Sequence, residues 1–343
     1  MTPAANISDM NIREDLERRE REILSPHAAL SAETKGRVYE NDVCDLRLDY
    51  QRDRDRILHS KSFRRLKDKT QVFLTPEGDH YRTRLTHTLE VAQNARTIAK
   101  ALRLNEELTE AIALGHDLGH TPFGHAGERA LDRVCPLGFS HSEQSVRTVE
   151  VLEKGGQGLN LTCEVIDGIR NHQTSGYPAT LEGKIVRFSD KIAYMHHDMD
   201  DAVRAGILAE DEIPSKISDV VGAGAGERLD FFIRDLISTS YNQNDIRLSP
   251  PVAQAMQSLR AFMFERVYQN PEAKSEEKKA EVMMETLYDY YFKHIDKIPP
   301  DIYKLLAKGD KAEQLVCDFL SAMTDRFAIA QYTEIYVPKS WIL

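Results

Sequence analysis

Cysteine is scarce: four in 343 residues, at positions 44, 135, 163 and 317, with no CxxC spacing. That argues against a zinc knuckle or a disulfide framework and for reduced thiols in a cytoplasmic chain. Long apolar runs are missing as well. None approaches the roughly 18–20 residues of a membrane span, and MTPAANISDMNIREDLERRE lacks the basic-then-apolar order of a signal peptide. Positive charge is in deficit, with a net charge of −10. Broad nucleic-acid affinity rests on Lys and Arg neutralising phosphates, so that class is disfavoured. No repeat, low-complexity stretch or convincing strand pair is present.

What is there is a globular chain with 41% hydrophobic and 29% charged residues, long enough for one large domain or two ordinary ones. The periodicity predicts an all-α fold, with at most a minor hairpin near 71–83. A charged amphipathic helix is expected over 11–24, capped by Ser8 or Asp9. The spacing of Leu89, Ala92, Ala95, Ile98, Ala99 and Leu102 predicts a helix over 86–103. A second opens at Asn105, a good N-cap, and runs toward Gly115 and Gly119, where glycine lets backbone come close. Pro122 breaks it. Further helices are expected in HAGERALDRV, HSEQSVRTVEVLEK and 182–206, after Pro250–Pro251, and on either side of Gly309. The GAGAG run at 222–226 reads as a joint, and Phe231, Phe232, Phe262 and Phe264 as core. The organisation expected is an N-terminal helical arm (1–40), a catalytic core (41–210) and a C-terminal helical region (211–343) that completes the site and makes oligomer contacts.

The stretch GHDLGHTPFGHAGE, residues 115–128, sets His116, His120 and His125 beside Asp117 and Glu128. Core histidines are usually single and satisfied by one hydrogen bond, so such a mixture points to a site that handles a metal or a phosphate. Upstream, QRDRDRILHSKSFRRLKDKT (51–70) carries eight Lys or Arg against three Asp. Its plain reading is a solvated helix face laced with ion pairs; gathering a polyphosphate is the alternative.

Periodicity does not choose among twelve histidines; resemblance does. RLTHTLEV, then GHDLGH, then RFSDKIAY resembles the H…HD…D signature of the HD-domain metallohydrolases. RDRDRILHSKSFRRLKDKTQVF, HYRTRLTHTLEVAQNARTIA and LGHDLGHTPFGHAGE narrow it to the bacterial deoxyguanosine triphosphate triphosphohydrolase-like family, strongly over about 40–210. The resemblance implies that His87, His116, Asp117 and Asp190 hold one divalent ion. Two imidazoles with two carboxylates suit Mn²⁺, Fe²⁺, Mg²⁺, Ni²⁺ or Zn²⁺. It also implies removal of intact triphosphate from a dNTP.

His125 and Glu128, three apart on one helix face, would form the catalytic pair. By the same resemblance Arg84 meets the α-phosphate, with His120 and His141 as phosphate contacts or supports. Lys191, Tyr194 and Asp198 would grip triphosphate and sugar. Gln71 would bond the 3′-hydroxyl, and Tyr194 would stack where a 2′-hydroxyl collides. Arg260 and Tyr241 are weaker candidates. His196 and His197 are decoys of which at most one faces the site, since helix neighbours point about 100° apart. His172 is either a site residue or a helix C-cap. The relatives further imply a homo-oligomer (tetramer or hexamer), with a second dNTP or single-stranded nucleic acid as effector. The rival readings are an HD hydrolase of another nucleotide and a non-catalytic dNTP- or nucleic-acid-responsive protein.

Overall fold

The computed structural model describes residues 11–40, 43–71, 82–222, 224–269 and 271–339. Among these the fold is all-α. The one β feature is an antiparallel bridge between Thr70 and Thr83, at the foot of the expected hairpin, whose residues 72–81 lie outside the described residues. The helices run α1 (Ile12–Ile23), α2 (Asp49–Leu58), α3 (Lys61–Arg65), α4 (Arg84–Leu102), α5 (Glu106–Gly115), α6 (Gly124–Val134), α7 (His141–Arg147), the short α8 (Glu153–Gly156), α9 (Cys163–Arg170), α10 (Leu181–Arg204), α11 (Ser215–Val221), α12 (Ala225–Ser240), α13 (Pro250–Met263), α14 (Pro271–Lys293), α15 (Pro300–Tyr303), α16 (Ala312–Ser321) and α17 (Asp325–Tyr336). None of the described helices is long and apolar enough to cross a membrane.

Local chemistry sets the boundaries. Asn105 accepts from the amides of Glu107 and Leu108 and so starts α5 as expected; Thr83 and Thr180 do the same for α4 and α10. The cap of α1 is Asn11, whose side chain accepts from Glu14 N; Ser8 and Asp9 lie outside the described residues. The expected helix from His141 through Lys154 is interrupted. After α7 the chain widens into a π-turn over Thr148–Leu152. Gly309 takes φ +101 between the short α15 with its following 3₁₀ turn and α16, so helix lies on either side of it, the longer helices α16 and α17 both coming after.

Ala92, Ala95, Ile98, Ala99 and Leu102 are buried as predicted, but Leu89 is 48% exposed. At 100° per residue it lies about 120° round the helix from Ala95. The phenylalanine expectation is also corrected. Phe232 is buried and Phe262 packs against the core, while Phe231 and Phe264 are exposed. Phe231 adjoins Phe232 on one helix, and neighbours there cannot both face inward.

Apolar burial falls into two clusters. One runs from Tyr50 through the faces of α2, α4, α5, α9 and α10 to Val267. The other joins α6 to α14, α16 and α17. Polar side chains stitch the two together. Asp325 accepts from Thr70 N at 2.9 Å and from Phe123 N at 3.0 Å, and Arg147 on α7 pairs with Asp318 on α16 at 2.7 Å. The basic run is spent largely on structure. Arg54 pairs with Glu107 and Arg56 donates to Leu159 O. Lys69 turns fully inward, its Nζ donating to His120 O and Ser321 O.

Candidate active site

The site lies along the seam between the two clusters. α4 carries His87 one turn from its start, and α5 ends at Gly115 so that His116 and Asp117 fall in the following turn. This is how adjacent residues come to face one point. α10 brings in Asp190. His87, His116 and Asp117 offer ligand atoms within 4.8 Å of one another. Asp190 Oδ1 lies 3.1 Å from His87 Nε2 and 3.8 Å from His116 Nε2. All four residues of the expected metal set therefore converge.

The chemistry of this set fits a divalent cation. His116 Nδ1 donates to Ala113 O at 2.6 Å, which leaves a lone pair on Nε2 facing the carboxylates. That Nε2 is buried and has no hydrogen-bond partner. Burial alone would raise the Asp117 carboxyl, but the Arg84 guanidinium at 2.8 Å, with His116 and His120, holds it well below the usual carboxylate range. Burial opposes Asp190 in the same way, and His87 and His116 bring it down. Two ionised carboxylates and two imidazoles, three of the four residues buried, are a donor set of the kind that suits a divalent cation.

A row of imidazoles leads away from it. His116 and His172 have ring centroids 5.0 Å apart, His172 and His141 5.3 Å, His141 and His120 4.5 Å, and His120 and His125 5.5 Å. The row starts buried and ends at His125, whose side chain is 65% exposed. Glu128 ties its outer end together. It takes His125 Nδ1 at 3.2 Å on one oxygen, and His141 Nδ1 at 2.8 Å and His141 N at 2.9 Å on the other. Burial works against its charge, yet these bonds drive its carboxyl far down. His141 is raised by Glu128 in spite of burial, and burial takes His172 down to about 4. The His141 ring thus sits between the Glu128 carboxylate and Nε2 of His172, 3.2 Å away.

Arg84 is buried, donating to Asp117 and to the carbonyls of Thr70 and Gln71. The Gln71 amide oxygen and His120 Nε2 are buried without a partner. On α10, Lys191 and Tyr194 are half-buried. Burial lowers Lys191, helped by Arg187 and Arg260, and raises Tyr194 to about 12. Asp198 is buried against the Tyr268 hydroxyl and pushed up to about 7 by burial. Arg260 acts on Lys191 and Tyr194 and so belongs to this neighbourhood; Tyr241, at the end of α12, is exposed.

Of the two decoys, His197 is buried, with Nδ1 3.5 Å from His87 Nδ1 and its other nitrogen against Glu90, and His196 is only half-buried. His172 follows Asn171, the C-cap of α9, and its Nδ1 donates to Ile169 O at 2.7 Å while its ring lies against His116 and His141. Lys69 was not singled out. Its contact runs through the backbone carbonyl of His120, for which residue spacing carries no signal. Tyr268 meets Asp198 side chain to side chain across 70 positions, a separation at which residue spacing likewise carries no signal.

Residues 84–195, which span the four candidate ligands, match the HD domain, and residues 246–334 match the phosphohydrolase-associated domain. The deoxyguanosinetriphosphate triphosphohydrolase-like protein of Caldanaerobacter subterraneus subsp. tengcongensis is 54% identical over 332 residues, covering 97% of this chain and 98% of that one. Proteins of the same description from Desulfatibacillum aliphaticivorans and Clostridium perfringens (strain 13) are each 46% identical, over 97% and 96% of this chain and 100% and 99% of theirs. With an HD domain, its associated domain and such relatives along nearly its whole length, the chain belongs to the deoxyguanosinetriphosphate triphosphohydrolase-like family of HD-domain phosphohydrolases.

Proposed function

We propose that this phosphohydrolase is a metal-dependent deoxynucleoside triphosphate triphosphohydrolase, releasing deoxynucleoside and tripolyphosphate. The observation that carries the reading is the orphaned, buried Nε2 of His116 beside His87, Asp117 and Asp190. The relatives' description supports the substrate. A divalent cation (Mn²⁺, Mg²⁺, Fe²⁺ or Ni²⁺) held by these four residues would supply positive charge at a phosphate oxygen and a water of lowered pKa.

The chain's own groups do the rest. Arg84, fixed by three acceptors, presents a rigid guanidinium to the α-phosphate, and His120, with its proton on Nε2, donates to a phosphate oxygen. His125, its Nδ1 held by Glu128, turns Nε2 outward to protonate the departing 5′-oxygen, a poor leaving group without a proton. Lys191 takes the triphosphate, and Gln71, Tyr194 and Asp198 the sugar. We also propose a homo-oligomer, for which the exposed Phe231, Tyr241 and Phe264 are candidate contacts.

The test is a product assay by ion-exchange chromatography, with each dNTP singly and then mixed in the presence of Mn²⁺. Wild type is expected to give tripolyphosphate, Asp117→Ala to lose metal and activity together, and His125→Ala to keep metal while turnover falls about 10²–10⁴-fold. Orthophosphate or pyrophosphate instead would mean another HD chemistry. Binding without cleavage would mean a dNTP-responsive protein.

A further inference from the structure

A second cleft, of about 540 Å³ including its mouth, opens on the far side of the catalytic turn. Leu118, between Asp117 and His120, forms part of its wall, and Ser321, whose carbonyl accepts from Lys69 beside His120, forms another part. Its remaining walls come from α3, the π-turn at 148–152, α8 and α15. None of the residues assigned above to metal, substrate or proton transfer lines it.

The cleft's charge is not what a simple count suggests. Lys61, Arg65 and Lys154 face Glu153, Asp301 and Asp318. One of those carboxylates is already neutralised, and a second is tied to backbone amides but keeps its charge. Glu153 accepts from Ser62 N at 2.7 Å and Lys61 N at 3.3 Å at the start of α3. Asp318 is held by both donors of Arg147 and by Gln144. That leaves two carboxylates, Glu153 and Asp301 (exposed in the first turn of α15), against three cations, a net charge of one positive.

Arg65 is the telling member. Its Nε is buried and has no acceptor, a cost the fold would normally avoid. Burial depresses its guanidinium, with Glu153 and Asp301 opposing from a distance.

The backbone around it is unusually shaped. Lys154, Gly155 and Gly156 take φ of 49°, 65° and 89° in succession, one residue after the π-turn. Lys304 and Lys308 reach across to hold the carbonyls of Gly155 and Gly156. Consecutive left-handed residues are costly for a non-glycine such as Lys154, and here they aim its side chain's root at the rim of the cleft.

We propose that this cleft is an anion site that takes a compact phosphate-bearing molecule, with Arg65 as its inner donor and Lys61 and Lys154 at its mouth. A tetrahedral oxyanion offers several acceptors to one guanidinium fork and two ammonium groups, which a single carboxylate at Asp301 does not. Leu118, Leu152 and Ile302 leave an apolar wall beside it. The proposal does not rest on the reaction assigned above.

The probe is inorganic pyrophosphate, titrated calorimetrically into the full chain without added metal. Arg84→Met removes the guanidinium of the candidate active site and weakens binding there, and the further loss on removing Arg65 from that background locates the second site. The Arg84→Met protein is expected to retain a pyrophosphate isotherm, and adding Arg65→Met to weaken it about tenfold or more, the loss of one charge-assisted bidentate contact. Should the double variant fail to fold, Lys154→Asn in its place keeps the left-handed backbone, removes the charge and is expected to weaken binding severalfold. A double variant that binds as tightly as Arg84→Met, or an Arg84→Met protein that binds nothing, overturns the proposal and leaves Arg65 as a partner for Asp301.

Discussion

Glu128 holds two imidazoles at once, and this sharing has a measurable pH signature. Its carboxyl lies below its ordinary 4.5, so the stability it contributes is present above that value and lost as pH falls through the depressed one. His141 is raised above its ordinary 6.5, so its contribution is complete below 6.5 and lost as pH rises through the folded value. The pair therefore stabilises most between 4.5 and 6.5. The melting temperature of wild type should exceed that of His141→Asn by more at about pH 5.5 than at about pH 9. Equal gaps at the two pH values would mean that the carboxylate–imidazolium pair is not formed. His125 shares the same carboxylate but stands largely in water, so its loss should cost turnover far more than stability.

At the scale of the elements, the turn after α5 depends on how closely α7 approaches it. A Cβ on Gly119 would meet Ser145 N at 2.2 Å and Gln144 C at 2.3 Å, both backbone atoms that cannot swing aside. Gly119 N also donates to Ser145 Oγ, whose hydroxyl donates on to His116 O. Gly119→Ala should cost about 1–3 kcal/mol by overpacking, and by pushing α7 away it should weaken metal affinity, read by calorimetric titration with Mn²⁺. A variant with unchanged affinity would show that the turn holds its ligands without α7. Gly119 was readable in the sequence as a point of close approach, as was the cap at Asn105, whereas the candidate ligands on α4, after α5 and on α10 came from the resemblance of their motifs. These signals are local: a capping side chain, a 3.6-residue period, a motif within a few turns. Leu89 and Phe231 misled because a hydrophobic side chain near a helical stripe need not lie within it. The interrupted helix at 148–156 was unreadable because a π-turn changes no residue type.

Over the whole molecule, the decisive fact is that the site belongs to neither apolar cluster alone. The candidate metal ligands rest on the first, whereas His125 and Glu128 ride on α6, which packs into the second. Their registry depends on the seam, and Asp325 is its narrowest point, one carboxylate holding Thr70 N beside Gln71 and Phe123 N beside the start of α6. No periodicity links position 325 to positions 70 and 123, so sequence gives no hint of it. Asp325→Ala leaves two amides without their acceptor, each worth about 1–3 kcal/mol if it stays dry, and should lower the melting temperature by several degrees. The more telling effect is on chemistry. With the four candidate ligands undisturbed, Mn²⁺ affinity should stay near wild type, while turnover falls about tenfold or more because His125 and Gln71 are no longer held against the same centre. Asp325→Asn keeps one acceptor oxygen and should recover part of that loss. If Asp325→Ala instead turns over at the wild-type rate well below its melting temperature, the two clusters keep their registry without this carboxylate, and Lys69 and the Arg147–Asp318 pair suffice to hold the seam.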